Sequence, residues 1–266
     1  MLTRNSGKAW DTHFLPRLSR KQVAELDKED AIVVLPIGAV EQHGPHLPTY
    51  TDTLINESFL TYGFEALPDE APVWLLPPLP YGKSTEHLGH PGTISLSAAT
   101  LMAVLMDIAK SLQLSGFRKL VFYNTHGGNV DLLNLMGRDI RKETGLIVYQ
   151  LHVNATADPV ALQYREPSLD IHGGEVETSL VLAARKHWVN MNAAPDETPN
   201  LPSSMQLQFR SKAFAWLMSD ISKSGIAGNA KLADAEYGEL LLRRGGLAMA
   251  GALLELASFE MSSLKK

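Results

Sequence analysis

The chain has 266 residues, 45% of them apolar and 20% charged, with 24 basic against 29 acidic side chains for a formal net charge of −5. That balance fits a folded globular protein and excludes wholesale disorder, and with no basic run longer than Arg243-Arg244 or Lys265-Lys266 it argues against nucleic acid as a partner. Cysteine is absent, so disulfides and thiolate-held metals are ruled out and any metal must be held by His, Asp and Glu.

Met1 to Asp11 lack the apolar core of a secretory signal, which predicts a cytoplasmic protein. The first strand is expected over Ala31 to Ile37, followed by a helix over Thr53 to Tyr62 and a weaker strand over Val73 to Leu76. A helix over Ser97 to Leu112 then precedes a strand over Lys119 to Tyr123. Val130, Leu133, Met136 and Ile140 follow the helical period within Asn129 to Lys142, and Leu146 to Leu151 reads as another strand. Gly174 to Lys186 is helical in pattern. Asn190 to Ser224 carries Pro195, Pro199 and Pro202 with few periodic apolar positions, which marks an excursion or lid. A turn from Gly225 to Asn229 leads into a long helix over Lys231 to Glu260, interrupted by Gly245-Gly246 and Gly251. Its longest apolar stretch, Gly246 to Ala257, is too short to span a bilayer, so no membrane partner is expected.

Strands alternating with helices predict an α/β fold, a mostly parallel central sheet with helices on both faces in a three-layer α/β/α arrangement. The length allows one large domain or two small ones, and a single domain over residues 1–266 is expected. In such sheets ligands gather beyond the carboxyl ends of the strands. Candidate chemistry lies there: Glu41 and His43 follow the first strand, and Asn124, His126, Gly127 and Gly128 follow the strand ending near Tyr123.

Four segments carry the chemistry. Glu41, His43, His46 and Asp52 fall in one turn-rich stretch, and Glu41 and His43, two apart in extended chain, can face one cavity; alternatively Asp52 is only the N-cap of a helix starting at Thr53. His126-Gly127-Gly128-Asn129 lies between strand and helix, where glycines let a ligand approach the backbone and the helix start offers N–H groups to an oxyanion. His172-Gly173-Gly174 precedes Glu175 and Glu177, which lie on different sides of a first helical turn, so only one of them should hold a metal. Tyr81 to Thr93 is a polar loop in which Ser84 and Glu86 are candidates for substrate binding. Seven of the nine histidines, at 43, 46, 87, 90, 126, 152 and 172, lie in or beside these segments, which points to one shared site. Imidazole with carboxylate suits zinc, manganese or iron.

Together the four segments resemble the creatininase (creatinine amidohydrolase) family. The matching pieces are Glu41 to Pro48 with Asp52, the Tyr-Gly-x-Ser-x-x-His-x-x-x-Pro-Gly-Thr run from Tyr81 to Thr93, Asn124 to Asn129, and His172 to Ser179. The resemblance implies a creatininase-like domain, frequently assembled as a hexamer, with two divalent ions per chain (Zn or Mn, with Fe also suitable). It implies hydrolysis of a non-peptide C–N bond in a small cyclic or linear amide through a metal-bridging hydroxide. On that pattern Asp52 bridges the ions, Glu41 and His126 hold one, His43 and Glu177 hold the other, and His172 is the catalytic histidine. Glu175 beside it is a second catalytic candidate, and the N–H groups of Gly127 and Gly128 are oxyanion donors. The chain departs from the creatinine-specific branch at Gly128, where that branch has an acidic residue, and at Ile171, where it has a carboxylate. Trp10, Trp74, Trp188 and Trp216 also lie outside the metal motifs. These departures count against creatinine itself as substrate.

Two other readings compete. The same metal centre serves formamide deformylases, precursor-peptide trimming enzymes and ring-opening hydrolases within the superfamily, although Lys83 is the one basic residue within the motifs and a nucleotide substrate would need more. A non-catalytic metal-binding protein is the reading from a different class; its mark would be loss of a ligand or of His172, and neither is lost.

Overall fold

The computed structural model describes residues 6–152, 170–200 and 214–265. Its frame is a four-stranded sheet of β1 (Ile32–Ile37), β2 (Val73–Leu75), β3 (Lys119–Asn124) and β4 (Ile147–His152), in the order β2-β1-β3-β4 with every pairing parallel. β1 and β3 are buried along their whole length, as their near-continuous apolar runs require of central strands covered on both faces.

Alternate residues divide between two cores. On one face Ile32, Val34, Val121 and Tyr123 pack with α3 (Thr51–Glu65), α6 (Glu175–Arg185) and α8 (Ala235–Ser258). On the other, Val33, Leu35, Leu120 and Phe122 pack with α4 (Ala98–Leu114) and α5 (Val130–Thr144). The result is a three-layer α/β/α fold. Short helices α1 (Lys8–Asp11) and α2 (Arg20–Glu25) precede the sheet. Neither shows in the apolar period of the sequence; α2 forms on a Ser19/Gln22 capping box with no buried residue of its own.

Three expectations change. Helix α3 starts at Thr51, one turn position before Asp52, so Asp52 is inside the first turn and is not its N-cap. Helix α8 runs unbroken through Gly245, Gly246 and Gly251. A Cβ on Gly246 would stand 2.6 Å from Tyr62 Cβ, one on Gly245 would collide with the Phe59 ring, and one on Gly238 would collide with the Ser179 carbonyl. These glycines let α8 lie directly on α3 and α6, which outweighs their poor helix propensity. Within the Asn190 to Ser224 excursion, β5 (Asp196–Glu197) pairs antiparallel with β6 (Gly228–Asn229), and a one-turn helix α7 (Met218–Ile221) follows; residues 201–213 of that excursion lie outside the described residues. Among the described residues no helix is long and apolar enough to cross a membrane.

The winding direction reverses between β1 and β3, since β2 lies to one side of that pair and β4 to the other. The two strands end level, Ile37 beside Asn124, and the crevice beyond them is where a doubly wound sheet places its ligand.

Candidate metal centre

The crevice is held open by side-chain amides. Asn56 Nδ2, buried on α3, donates to the Tyr123 carbonyl at 3.0 Å and the Ile37 carbonyl at 3.4 Å, where the sheet ladder ends. Thr125 Oγ1 donates to the Asp52 carbonyl at 2.9 Å, tying the turn after β3 to the first turn of α3. Asn129 Nδ2 donates to the Gly38 carbonyl and to Asn124 Oδ1, while its own oxygen accepts from Lys83 N at 2.8 Å. The turns after β1 and β3 and the loop from Tyr81 are thereby fixed to one another by the chain's own hydrogen bonds.

Into this frame project Glu41, His43 and Asp52, all buried. The two oxygens of Asp52 face two different imidazoles: His43 Nε2 lies 3.8 Å from Oδ1 and His126 Nδ1 lies 3.8 Å from Oδ2. His43 Nε2 is also 3.7 Å from Glu177 Oε2, and His126 Nδ1 is 3.3 Å from Glu41 Oε1. Backbone carbonyls fix both rings. His43 Nδ1 lies 3.0 Å from the Glu41 carbonyl and His126 Nε2 lies 3.0 Å from the Lys83 carbonyl. A carbonyl only accepts, so each of those nitrogens carries the hydrogen and the other nitrogen of each ring is turned toward the carboxylates.

The cluster also contains His172 and His87. His172 Nδ1 and His87 Nε2 approach Glu41 Oε1 at 3.6 and 3.4 Å, and the His172 ring centroid lies 4.2 Å from those of both His43 and His87. Among the described residues, four groups have ligand atoms within 4.8 Å of one another: Glu41 with His43 and Asp52, His43 with His172 and Glu177, Glu41 with Glu86 and His126, and Glu41 with His87 and His172.

Charge in this cluster is in conflict. Burial pushes the Asp52 carboxyl well above the usual range, and the Glu41 charge adds to it. Burial also acts to raise Glu41, but the charge and hydrogen bond of His126, then the charges of His172 and His87, hold it below the usual range. His126 resists its own burial chiefly through the Glu41 charge and is raised to about 10, whereas His43 is driven well below the usual range by burial and then by His172. One imidazolium cannot stabilise two buried carboxylates, and divalent cations remove that conflict. The donors are also presented for it: Glu41 Oε2, His43 Nε2 and Asp52 Oδ2 are buried with no hydrogen-bond partner among the described residues. Hard carboxylate and borderline imidazole donors with no thiolate fit a pair of divalent ions of the Zn or Mn kind.

The other residues singled out from the sequence fall as follows. Glu177, in the first turn of α6, accepts from Gly173 N at 2.6 Å and faces His43. Glu175 is buried in the same turn but belongs to none of the four metal-capable groups among the described residues. His46 Nε2 bonds Thr178 Oγ1 at 2.8 Å and stands outside those groups. Ser84 is fully buried with Oγ 3.3 Å from His126 Nε2, and Glu86 Oε1 lies 3.6 Å from the same nitrogen. Gly128 is crowded by Glu86, His126 and Lys83, while Gly127 has open space around it. Among the described residues, His90 and His152 belong to none of those groups. His87, and Gln42 whose Nε2 lies 2.9 Å from His87 Nδ1, received no role from the sequence; the signal available was their place within the two matching motifs.

The match to the Creatinine amidohydrolase family model runs over residues 16–253. The creatinine amidohydrolase of Pseudomonas putida is 30% identical over 247 residues, covering 86% of this chain and 91% of the relative. The mycofactocin precursor peptide peptidase of Mycolicibacterium smegmatis is 30% identical over 210 residues, 78% of each chain. A solved manganese creatininase superposes with a TM-score of 0.77 at 28% identity, over 94% of this chain and all of the other. The level strand ends, the carboxylate between two oriented imidazoles and the match over nearly the whole sequence agree, and the chain belongs to the creatininase family.

Proposed function

We propose that this protein is a two-metal amidohydrolase that cleaves a C–N bond of a small cyclic or linear amide. The observation that carries the reading is Asp52, whose two carboxylate oxygens each lie 3.8 Å from a differently held imidazole. Asp52 would bridge the ions, with Glu41 and His126 on one and His43 and Glu177 on the other. When bound, such ions supply a water acidified to near neutral pH and a Lewis acid for the substrate carbonyl.

The chain supplies the rest. His172 Nε2 lies 2.8 Å from the Gln42 carbonyl and so carries the hydrogen, leaving a lone pair on Nδ1 facing Glu41. That nitrogen accepts the proton released as water adds to the carbonyl and returns it to the leaving nitrogen. Gly127, whose surroundings are open, and Gly128 are assigned as backbone donors to the oxyanion. Ser84 and Glu86 both address His126 Nε2, and we assign them to orienting that ring; Glu175 is left as a supporting carboxylate. Assembly as a hexamer is proposed on the family resemblance alone.

A second reading keeps this site and changes the substrate. The Mycolicibacterium smegmatis relative acts, by its name, on a precursor peptide, and its identity to this chain equals that of the Pseudomonas putida enzyme, so a short peptide is the alternative. Elemental analysis combined with turnover of small amides, lactams, formamides and short peptides by zinc- and manganese-loaded protein tests both. Two ions per chain with hydrolysis of a non-peptide amide is expected. Cleavage confined to peptides selects the second reading, and two ions with no hydrolysis throughout would make the protein a metal binder.

A further inference from the structure

Gln42 lies between the proposed ligands Glu41 and His43, and its side-chain amide is held by other partners. Its amide orientation is fixed at both ends. Oε1 accepts from Gly44 N at 3.0 Å, and Nε2 donates to the Gly225 carbonyl at 2.7 Å. Gly225, at φ 92°, closes this pocket: a side chain there would collide with the Gln42 amide. The turn carrying Gly225 is itself clamped, since Glu197 accepts from Lys223 N at 2.6 Å and Ser224 N at 2.8 Å, and from the hydroxyls of Ser222 and Ser224.

With the amide so oriented, the second hydrogen on Nε2 points at His87 Nδ1, 2.9 Å away. A nitrogen that receives a hydrogen bond carries none of its own. His87 must therefore hold its hydrogen on Nε2, directed at Glu41 Oε1 at 3.4 Å. By distance alone His87 belongs to a metal-capable group with Glu41 and His172, but a protonated Nε2 has no lone pair to give. The main chain of the same residue fixes the neighbouring ring in the same tautomer but turned the other way: the Gln42 carbonyl takes the hydrogen of His172 Nε2, and the unprotonated Nδ1 faces Glu41 Oε1 at 3.6 Å.

We propose that Gln42 is a positioning residue that holds two adjacent imidazoles in the same Nε2-protonated form with opposite edges turned to Glu41, keeping His87 out of the metal shell as a hydrogen-bond donor to Glu41 while presenting His172 as a proton acceptor. His87 then neutralises part of the charge on one Glu41 oxygen and leaves Oε2, which has no hydrogen-bond partner among the described residues, as the ligand atom. The consequence for catalysis rests on the metal-centre reading above; the proton positions do not.

Long-range proton–nitrogen correlation spectra of the full-length protein, labelled with 15N-histidine and recorded zinc-loaded and after chelation, test this. His87 signals are assigned by their loss in His87→Gln. In the wild type His87 is expected to show a protonated Nε2 and an unprotonated Nδ1 in both states. In Gln42→Glu, whose carboxylate accepts and cannot donate, the hydrogen is expected to move to Nδ1. A zinc-bound or unprotonated Nε2 on wild-type His87, or a hydrogen that stays on Nε2 in Gln42→Glu, overturns the proposal. Should that variant not fold, the wild-type spectrum alone decides. Absence of bound zinc with the expected His87 pattern would count against the metal centre and leave this inference standing.

Discussion

Glu86 Oε1 lies in the space that a side chain at Gly128 would need. A Cβ added to Gly128 would collide with that oxygen and stand 2.5 Å from both His126 Nε2 and the Lys83 carbonyl. The creatinine-specific branch has an acidic residue at this position, so the two arrangements exclude each other: an acid on the turn after β3, or Gly128 with a carboxylate delivered from the loop at Glu86. Gly128→Ala should push Glu86 and the Lys83 carbonyl off His126. The expected result is ~10- to 100-fold weaker binding of one ion, the range for disturbed outer-shell partners of a metal histidine, measured by competition with a chromophoric chelator. Unchanged affinity for both ions would mean that the loop yields freely and that Glu86 does not hold the ring.

Asp52 and His172 should separate cleanly. Asp52→Ala removes the group between the two imidazoles, so both bound metal and turnover are expected to disappear together. His172→Ala leaves Glu41, His43, Asp52, His126 and Glu177 in place, and the protein should retain two ions while kcat falls by about 10²- to 10⁴-fold, the usual worth of a positioned acid–base group. Retained turnover in the Asp52 variant would sink the bridging assignment. Loss of metal in the His172 variant would make that ring a ligand, as its place in a group with His43 and Glu177 permits.

The strands and the long helices were legible in the sequence because buried parallel strands and amphipathic helices impose their own periods. Val130, Leu133, Met136 and Ile140 show this on α5, where Leu133, Met136 and Ile140 are buried and Val130 is half-buried. The residues gathered at the crevice were singled out for a different reason, as polar side chains crowded after strands that end together. What failed was information carried by a distant partner. Gly245 and Gly246 look like helix breaks until Phe59 and Tyr62 are seen against them, and α2 has no buried face to betray it. Gln42 reads as filler in a ligand motif because its partners, His87 and Gly225, are 45 and 183 residues away.

The packing glycines of α8 give opposite expectations from one chemical change. Gly238 faces the Ser179 carbonyl of α6, a main-chain atom that cannot swing aside. Gly238→Ala should cost roughly 1–3 kcal/mol as an overpacked contact. Among the described residues, nothing beyond its own helix backbone lies within 4 Å of a Cβ added to Gly251, which is exposed, so Gly251→Ala should stabilise by roughly 0.5–1 kcal/mol through helix propensity. Urea unfolding of the two variants checks the pair. A stabilised Gly238→Ala would show that α8 does not rest on α6 as closely as described.

Asp170 predicts how stability depends on pH around the start of α6. Its Oδ2 accepts from Val176 N at 2.7 Å, and its Oδ1 sits where side chains at Gly174 or Gly228 would be. Burial raises this carboxyl from 3.8 to about 6; the Val176 hydrogen bond opposes the shift, and the charges of Glu177 and Glu175 add to it. A carboxyl whose folded value is raised favours the folded state when protonated, and that contribution is present below 3.8 and is lost as the pH rises through about 6. Asp170→Asn keeps an oxygen for Val176 N and carries no charge at any pH. The variant's Tm relative to wild type should therefore climb between pH 3.8 and 6 and level off above. A difference that stays flat across that window would mean that Asp170 is already ionised in the fold at low pH, and the hydrogen bond to Val176 would then outweigh its burial.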